Sequence, residues 1–99
     1  MSGTIRQVTI RGRVQGVGYR AWVEHAATAR GLQGWVRNRR DGSVEAAFAG
    51  PENVVAEMVA SCCRGPRSAR VDSVTEQDAG ADALGLRYPG DRFSVLPTI

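Results

Sequence analysis

The sequence predicts an α+β fold, one sheet with two helices packed on one of its faces. Three observations predict it. Four short stretches, Thr4–Arg11, Trp35–Arg39, Ser43–Ala49 and Ala69–Glu76, read as strands. Two segments between them space their apolar residues as helices do. Glycine and proline stand at most of the junctions.

Thr4–Arg11 alternates, with Val8 and Ile10 flanking polar Thr9, and Gly12 and Gly16–Val17–Gly18 are expected to end the strand. From Tyr19 to Arg30 the period changes. Tyr19, Trp22, Val23 and Ala26 share one side while Glu24 and Thr28 lie towards the other, and Gly31 is the natural stop. Trp35–Arg39 is a short strand, and Asp41–Gly42 marks a tight hairpin whose primed turn would need positive φ. Ser43–Ala49 returns with Val44, Ala46 and Phe48 on one face.

Gly50–Pro51–Glu52 opens a second helix, with proline in its first turn and a carboxylate near the positive end of the dipole. Val55, Met58, Val59 and Cys62 form its apolar stripe, and Gly65–Pro66 ends it. Ala69–Glu76 is the fourth strand, Asp78–Gly85 reads as a polar loop, and Phe93–Leu96 as a short edge strand limited by Pro97. Trp22, Phe48 and Met58 read as core.

This order is the ferredoxin-like split β-α-β-β-α-β sandwich, with expected sheet order 4-1-3-2 and a short additional edge strand. Right-handed crossover makes the first two strands parallel, with the third inserted between them. The end of strand one, the start of helix one and the end of strand two then share one edge of the molecule. Gln15–Arg20 and Asn38 become neighbours.

The chain has 99 residues, one domain's worth, with 42% hydrophobic and 23% charged residues, as in soluble globular proteins. No apolar run approaches the ~20 residues that span a bilayer. Met1–Arg6 lacks the apolar stretch of a secretory signal. Cys62 and Cys63 are adjacent, so they cannot pair in ordinary geometry, and two thiols do not make a metal site. Reduced cysteines fit a cytoplasmic setting. Net charge is +3, and all 13 basic residues are arginine. They are scattered rather than gathered, which disfavours nucleic acid and leaves open a small-anion site, since guanidinium grips phosphate oxygens in pairs.

The most informative segment is Gly12–Arg13–Val14–Gln15–Gly16–Val17–Gly18–Tyr19–Arg20. Gly16 and Gly18 let the backbone curl so that successive N–H groups point into a shared hollow. The following helix adds unpaired N–H groups and partial positive charge. Arg20 is badly placed there unless an anion binds, because a cation at a helix N-terminus is repelled by ~0.3–1 kcal/mol. The competing reading is a glycine turn that only lets segments approach closely. The pattern is neither a Walker phosphate loop, since no Gly-Lys-Ser/Thr follows, nor a dinucleotide fingerprint, nor a cysteine-phosphatase loop. Asn38 either begins a hairpin or, facing this loop, holds a water by donating and accepting at once.

These residues, with Gly31–Leu32–Gln33–Gly34–Trp35–Val36–Arg37–Asn38–Arg39–Arg40–Asp41–Gly42–Ser43–Val44–Glu45 and the Gly65–Pro66 and Ala69–Arg70–Val71 stretches, resemble the acylphosphatase family. The resemblance implies the ferredoxin-like fold and hydrolysis of a carboxylic–phosphoric mixed anhydride to carboxylate and inorganic phosphate. It implies no metal, no cofactor and no covalent intermediate. Arg20 is then the phosphate-binding arginine and Asn38 positions the water. Backbone N–H groups of Gln15, Gly16, Val17, Gly18 and Tyr19 complete the cradle. Tyr19 stands where phenylalanine is frequent, so its hydroxyl needs a partner. The tail Tyr88–Phe93 is only loosely similar, which leaves docking of the last residues open.

Such a reaction needs little from the protein. The carboxylate leaving group has a pKa near ~4 and departs without protonation. His25 reads as a helix-surface residue and Glu52 as a cap. Arg13 either steers anions or is simply solvated. No base is evident, so a phosphate oxygen is the expected acceptor of the water's proton. The expected partners are an acyl phosphate and inorganic phosphate, with no membrane, nucleic acid disfavoured and a monomer favoured. One rival stands. Trp35, Arg37 and Arg39 share a strand face and, if nothing covers it, resemble a nucleic-acid platform; otherwise Trp35 packs against arginine stems at the surface.

Overall fold

A computed structural model describes residues 3–99. Strand β1 (Gly3–Arg13) leads into helix α1 (Tyr19–Ala29), followed by the hairpin of β2 (Gln33–Asn38) and β3 (Val44–Pro51). Helix α2 (Glu52–Arg64) and strand β4 (Arg70–Asp78) come next, then a 3-10 helix (Ala81–Leu86) and β5 (Phe93–Val95). The sheet order is β4-β1-β3-β2-β5. Neighbouring strands are antiparallel except β2 and β5, which are parallel. The ferredoxin-like sandwich expected from the sequence is therefore present, and β1 and β2 run the same way with β3 between them.

Alternation explains the two faces. Val8 and Ile10 of β1, and Val44, Ala46 and Phe48 of β3, point beneath the helices, where they meet Val23 and Ala27 of α1 and Val55, Met58 and Cys62 of α2. On the opposite face the same strands present Gln7 and Glu45, whose side chains hydrogen-bond at 2.8 Å. Arg37 donates to the same carboxylate at 2.8 Å. Glu45 is thus 94% removed from water yet fully partnered, as a buried charge requires.

Several sequence expectations need correction. Gly12 does not break β1 but sits at a bulge against β4 between Arg11 and Gly12, and the strand runs on to Arg13. Asp41 does not take positive φ; among the described residues only glycines do. The hairpin instead closes with Arg39 N–H donating to Ser43 and Gly42 N–H donating to Arg39, and Gly42 at φ 94°. That is a three-residue loop with glycine in the left-handed position rather than a primed two-residue turn. Trp22 is only partly buried, leaning on Tyr19 with ring centroids 5.5 Å apart.

The largest correction concerns Trp35, which is 0% exposed. The stretch read as a polar loop continues β4 to Asp78 and then forms the 3-10 helix, whose Ala83 carbonyl accepts a hydrogen bond from Trp35 Nε1 at 2.7 Å. Ala47 and Leu96 pack on the ring, and the Arg37 guanidinium lies 4.7 Å from its centroid. The aromatic surface of the rival platform is covered. The tail docks: β5 pairs with β2, Leu96 N–H donates to Val36, Ile99 N–H to Asn38 and Arg40 N–H to Ile99. Tail and hairpin thereby hold the end of β2 from both sides.

Candidate active site

Helix α1 begins without the usual protections. Its N-cap is Gly18, in the left-handed conformation at φ 81° and ψ 16°, with no side-chain cap hydrogen bond and no acidic residue in the first turn. Helix α2, by contrast, has Glu52 in its first turn. Before α1 the chain curls through Gly16 at φ 73° and Gly18, a backbone that a residue with Cβ adopts only under strain. The outcome is a run of free donors. Among the described residues, the first N–H after Val14 to find a backbone acceptor is that of Trp22, which donates to Gly18 at 3.1 Å. Among the described residues, the N–H groups from Gln15 through Ala21 have no protein acceptor.

These groups border a pocket of about 480 Å³ lined by Gln15, Gly16, Gly18, Tyr19, Arg20 and Asn38, with Val14, Ala21, Glu24 and Val95 extending it. The volume falls in the range of small-molecule sites, ~300–1,000 Å³. Arg20 lies half-buried in its wall, and no hydrogen bond or ion pair occupies its guanidinium among the described residues. Most other arginines near carboxylates are paired, as Arg6, Arg11, Arg30, Arg37, Arg39 and Arg70 are.

Asn38 faces the loop from the end of β2. Its Oδ1 is the buried side-chain oxygen left without a partner among the described residues. An orphaned acceptor of this kind costs about 1–3 kcal/mol unless a donor arrives, and its residue lines the same pocket as Gln15, Gly16, Gly18 and Arg20.

Two side-chain ties hold this geometry, and neither was legible beforehand. Gln15 Nε2 donates to the carbonyls of Arg39 at 2.7 Å and Ser43 at 2.8 Å, stitching the loop to the hairpin beside Asn38. The Tyr19 hydroxyl, which needed a partner, donates to the Cys62 carbonyl at 2.8 Å, anchoring the start of α1 to the end of α2. Burial is the chief cause of a raised Tyr19 pKa, and the phenol therefore remains a donor. Burial likewise pushes the Cys62 thiol up to about 12, so it is an inert core group.

Of the residues singled out in the sequence, Gly16, Gly18, Tyr19, Arg20, Gln15 and Asn38 line the pocket, whereas Val17 does not and packs against the core. His25 is exposed on α1, as is Arg13 at the end of β1. Glu24, which the sequence places just past the first turn of this helix, and Val95, to which nothing in the sequence pointed, belong to the pocket wall. Glu24 is one turn beyond Arg20, and Val95 arrives only because the tail docks. Among the described residues no group of three or more His, Cys, Asp or Glu side chains is placed to hold a metal ion.

Fold and pocket together define a ferredoxin-like protein with a pocket lined by Gly16, Gly18, Arg20 and Asn38 at the start of its first helix. The acylphosphatase family model matches residues 6–86. The chain is 72% identical to the acylphosphatase of Bradyrhizobium diazoefficiens over the full length of both. It is similar in structure to an acylphosphatase from Coxiella burnetii (TM-score 0.82, 29% identity, covering 95% of this chain and 93% of that one). It also matches the acylphosphatase from Bacillus subtilis (TM-score 0.79, 34% identity, covering 93% and 97%). The chain belongs to the acylphosphatase family, and it is an enzyme of the acid-anhydride hydrolase type.

Proposed function

We propose that the loop Gln15–Arg20 holds the phosphoryl group of an acyl phosphate while Asn38 holds the attacking water. The observation that carries this reading is the convergence of unmatched groups on one pocket: successive free N–H donors, the unpaired Arg20 guanidinium and the orphaned Asn38 oxygen. A dianion satisfies the first two. A water donating to Asn38 Oδ1 satisfies the third and turns its lone pairs towards phosphorus.

In this reading the water oxygen forms its bond to phosphorus as the bond to the carboxylate oxygen breaks. The carboxylate leaves as an anion, and a phosphoryl oxygen takes the water's proton, yielding inorganic phosphate. The protein positions the reactants and stabilises charge on the equatorial oxygens. Each preorganised donor of this kind contributes about 3–4 kcal/mol in the transition state. The pocket beyond Arg20, bounded by Ala21, Glu24 and Val95, receives the acyl group. The unpaired cysteines suit a cytoplasmic setting.

The test is hydrolysis of benzoyl phosphate, with inorganic phosphate as competitive inhibitor. Arg20→Ala is expected to abolish phosphate inhibition and turnover together, and Arg20→Lys to restore little, because a point charge cannot reproduce the fork. Asn38→Ala is expected to lower kcat by about 10²-fold or more with phosphate inhibition nearly unchanged, as for a contact made only in the transition state. Glu24→Gln, which removes the carboxylate of the pocket wall, is expected to leave kcat within about twofold. A large loss there would make Glu24 the base and refute proton transfer to the substrate.

A further inference from the structure

Ser68 lies in the connection between α2 and β4, exposed and fifty-one positions from the residue it touches. Its Oγ donates to the Val17 carbonyl at 2.7 Å. Peptide geometry gives this contact a consequence. In a planar trans peptide the C=O and the following N–H point in opposite directions. A bond that holds the Val17 oxygen outward, against the α2–β4 connection, therefore holds the Gly18 N–H on the other side.

That other side is the pocket. Gly16, Gly18, Tyr19 and Arg20 line it and Val17 does not. Gly18 is flanked by freedom: it has open space where a Cβ would be and sits at φ 81°. Glycine accepts either sign of φ at little cost, so on the Gly18 side of this peptide sterics do not set its orientation. Turned over, the same peptide would aim its carbonyl oxygen at the anion. The neighbouring wall is tightly packed where it meets the loop: Gly65 abuts the Tyr19 ring so closely that a Cβ there would come within 2.9 Å of it. The Tyr19 hydroxyl is tied to Cys62 in the same wall.

We propose that Ser68 is a positioning residue, which sets the Val17–Gly18 peptide so that the Gly18 N–H faces the phosphoryl group. This rests on the loop being the phosphate site. Ser68 itself touches neither substrate nor water. It carries preorganisation from the end of α2 into the cradle.

The experiment titrates inorganic phosphate into the ¹⁵N-labelled full chain, as wild type, Ser68→Ala and Ser68→Thr, and follows the backbone amides by NMR alongside kcat, KM and Tm. In the wild type the Gly16 and Gly18 amide protons are expected to move downfield as phosphate binds. In Ser68→Ala the Gly18 response shrinks while that of Gly16 persists, the phosphate Kd and KM rise about tenfold, and Tm stays within about 2 °C because the residue is exposed. Ser68→Thr keeps the hydroxyl and restores the wild-type pattern. Unchanged affinity and an unchanged Gly18 shift in Ser68→Ala would overturn the proposal, as would a loss that merely tracks Tm and is not rescued by threonine. A wild type in which Gly16 and Tyr19 respond but Gly18 does not overturns the role of Ser68 and leaves the phosphate loop standing. No response anywhere from Gln15 to Ala21 overturns both.

Discussion

Arg20 sits where a cation is repelled, in the first turn of a helix that has no acidic residue and no side-chain cap. The repulsion is worth about 0.3–1 kcal/mol, and among the described residues the guanidinium gains no carboxylate to offset it. A bound dianion reverses both terms at once, which is why one residue type at one position says so much. Gln15 illustrates the complementary case, a residue whose side chain works away from the ligand. By donating to Arg39 and Ser43 it holds the hairpin that carries Asn38. Gln15→Ala leaves those carbonyls unmatched and the end of β2 free to drift. A loss of about 1–2 kcal/mol in stability is expected, together with a fall in kcat larger than the rise in the phosphate inhibition constant. Denaturant titration and steady-state kinetics on the same preparation measure the two.

At the scale of elements, the β2–β3 hairpin carries constraints on its strands and its turn. Gly34 in β2 lies at φ 148°, and a Cβ there would fall 1.8 Å from the Ala47 carbonyl oxygen of β3. Backbone cannot yield as a flexible side chain does. Gly34→Ala is expected to destabilise the fold by about 2–4 kcal/mol, read as a lowered midpoint in urea unfolding. The turn is set by Asp41, whose Oδ1 accepts from the Ser43 hydroxyl at 2.6 Å and the Ser43 N–H at 2.9 Å. Those bonds hold the Asp41 carboxyl at about 2, below its ordinary value. A depressed folded-state pKa stabilises the protein above the unfolded value, and that contribution disappears as pH falls from about 4 to about 2. Asp41→Asn should therefore differ most from wild type in thermal unfolding near neutrality, the gap narrowing through this acid window.

At the scale of the whole molecule, a net charge of +3 and a pI near 9.5 draw an anionic substrate towards a pocket that already presents free donors. Steering of this sort is screened by salt. A roughly threefold fall in kcat/KM for benzoyl phosphate is expected between about 10 mM and about 200 mM salt, with kcat unchanged. A flat profile would mean that local groups alone gather the substrate. On the sheet's second face one carboxylate, Glu45, bridges two guanidinium groups, those of Arg37 and Arg39.

What the sequence determined by itself was whatever depends on neighbours along the chain. Strand and helix periods, the glycine curl before α1, the arginine in its first turn and the asparagine ending β2 are all local patterns, and handedness rules then place loop and asparagine at one edge. Tertiary structure alone decided the rest, because hydrogen bonds between distant segments leave no periodic trace. Nothing near Trp35 announces that Ala83 and Leu96 will cover it, nothing near Val95 that it will reach the pocket, and nothing near Ser68 that its hydroxyl will meet Val17. Each of those contacts forms only after the sheet has brought remote backbone within about 3 Å, the distance at which a donor and an acceptor first recognise each other.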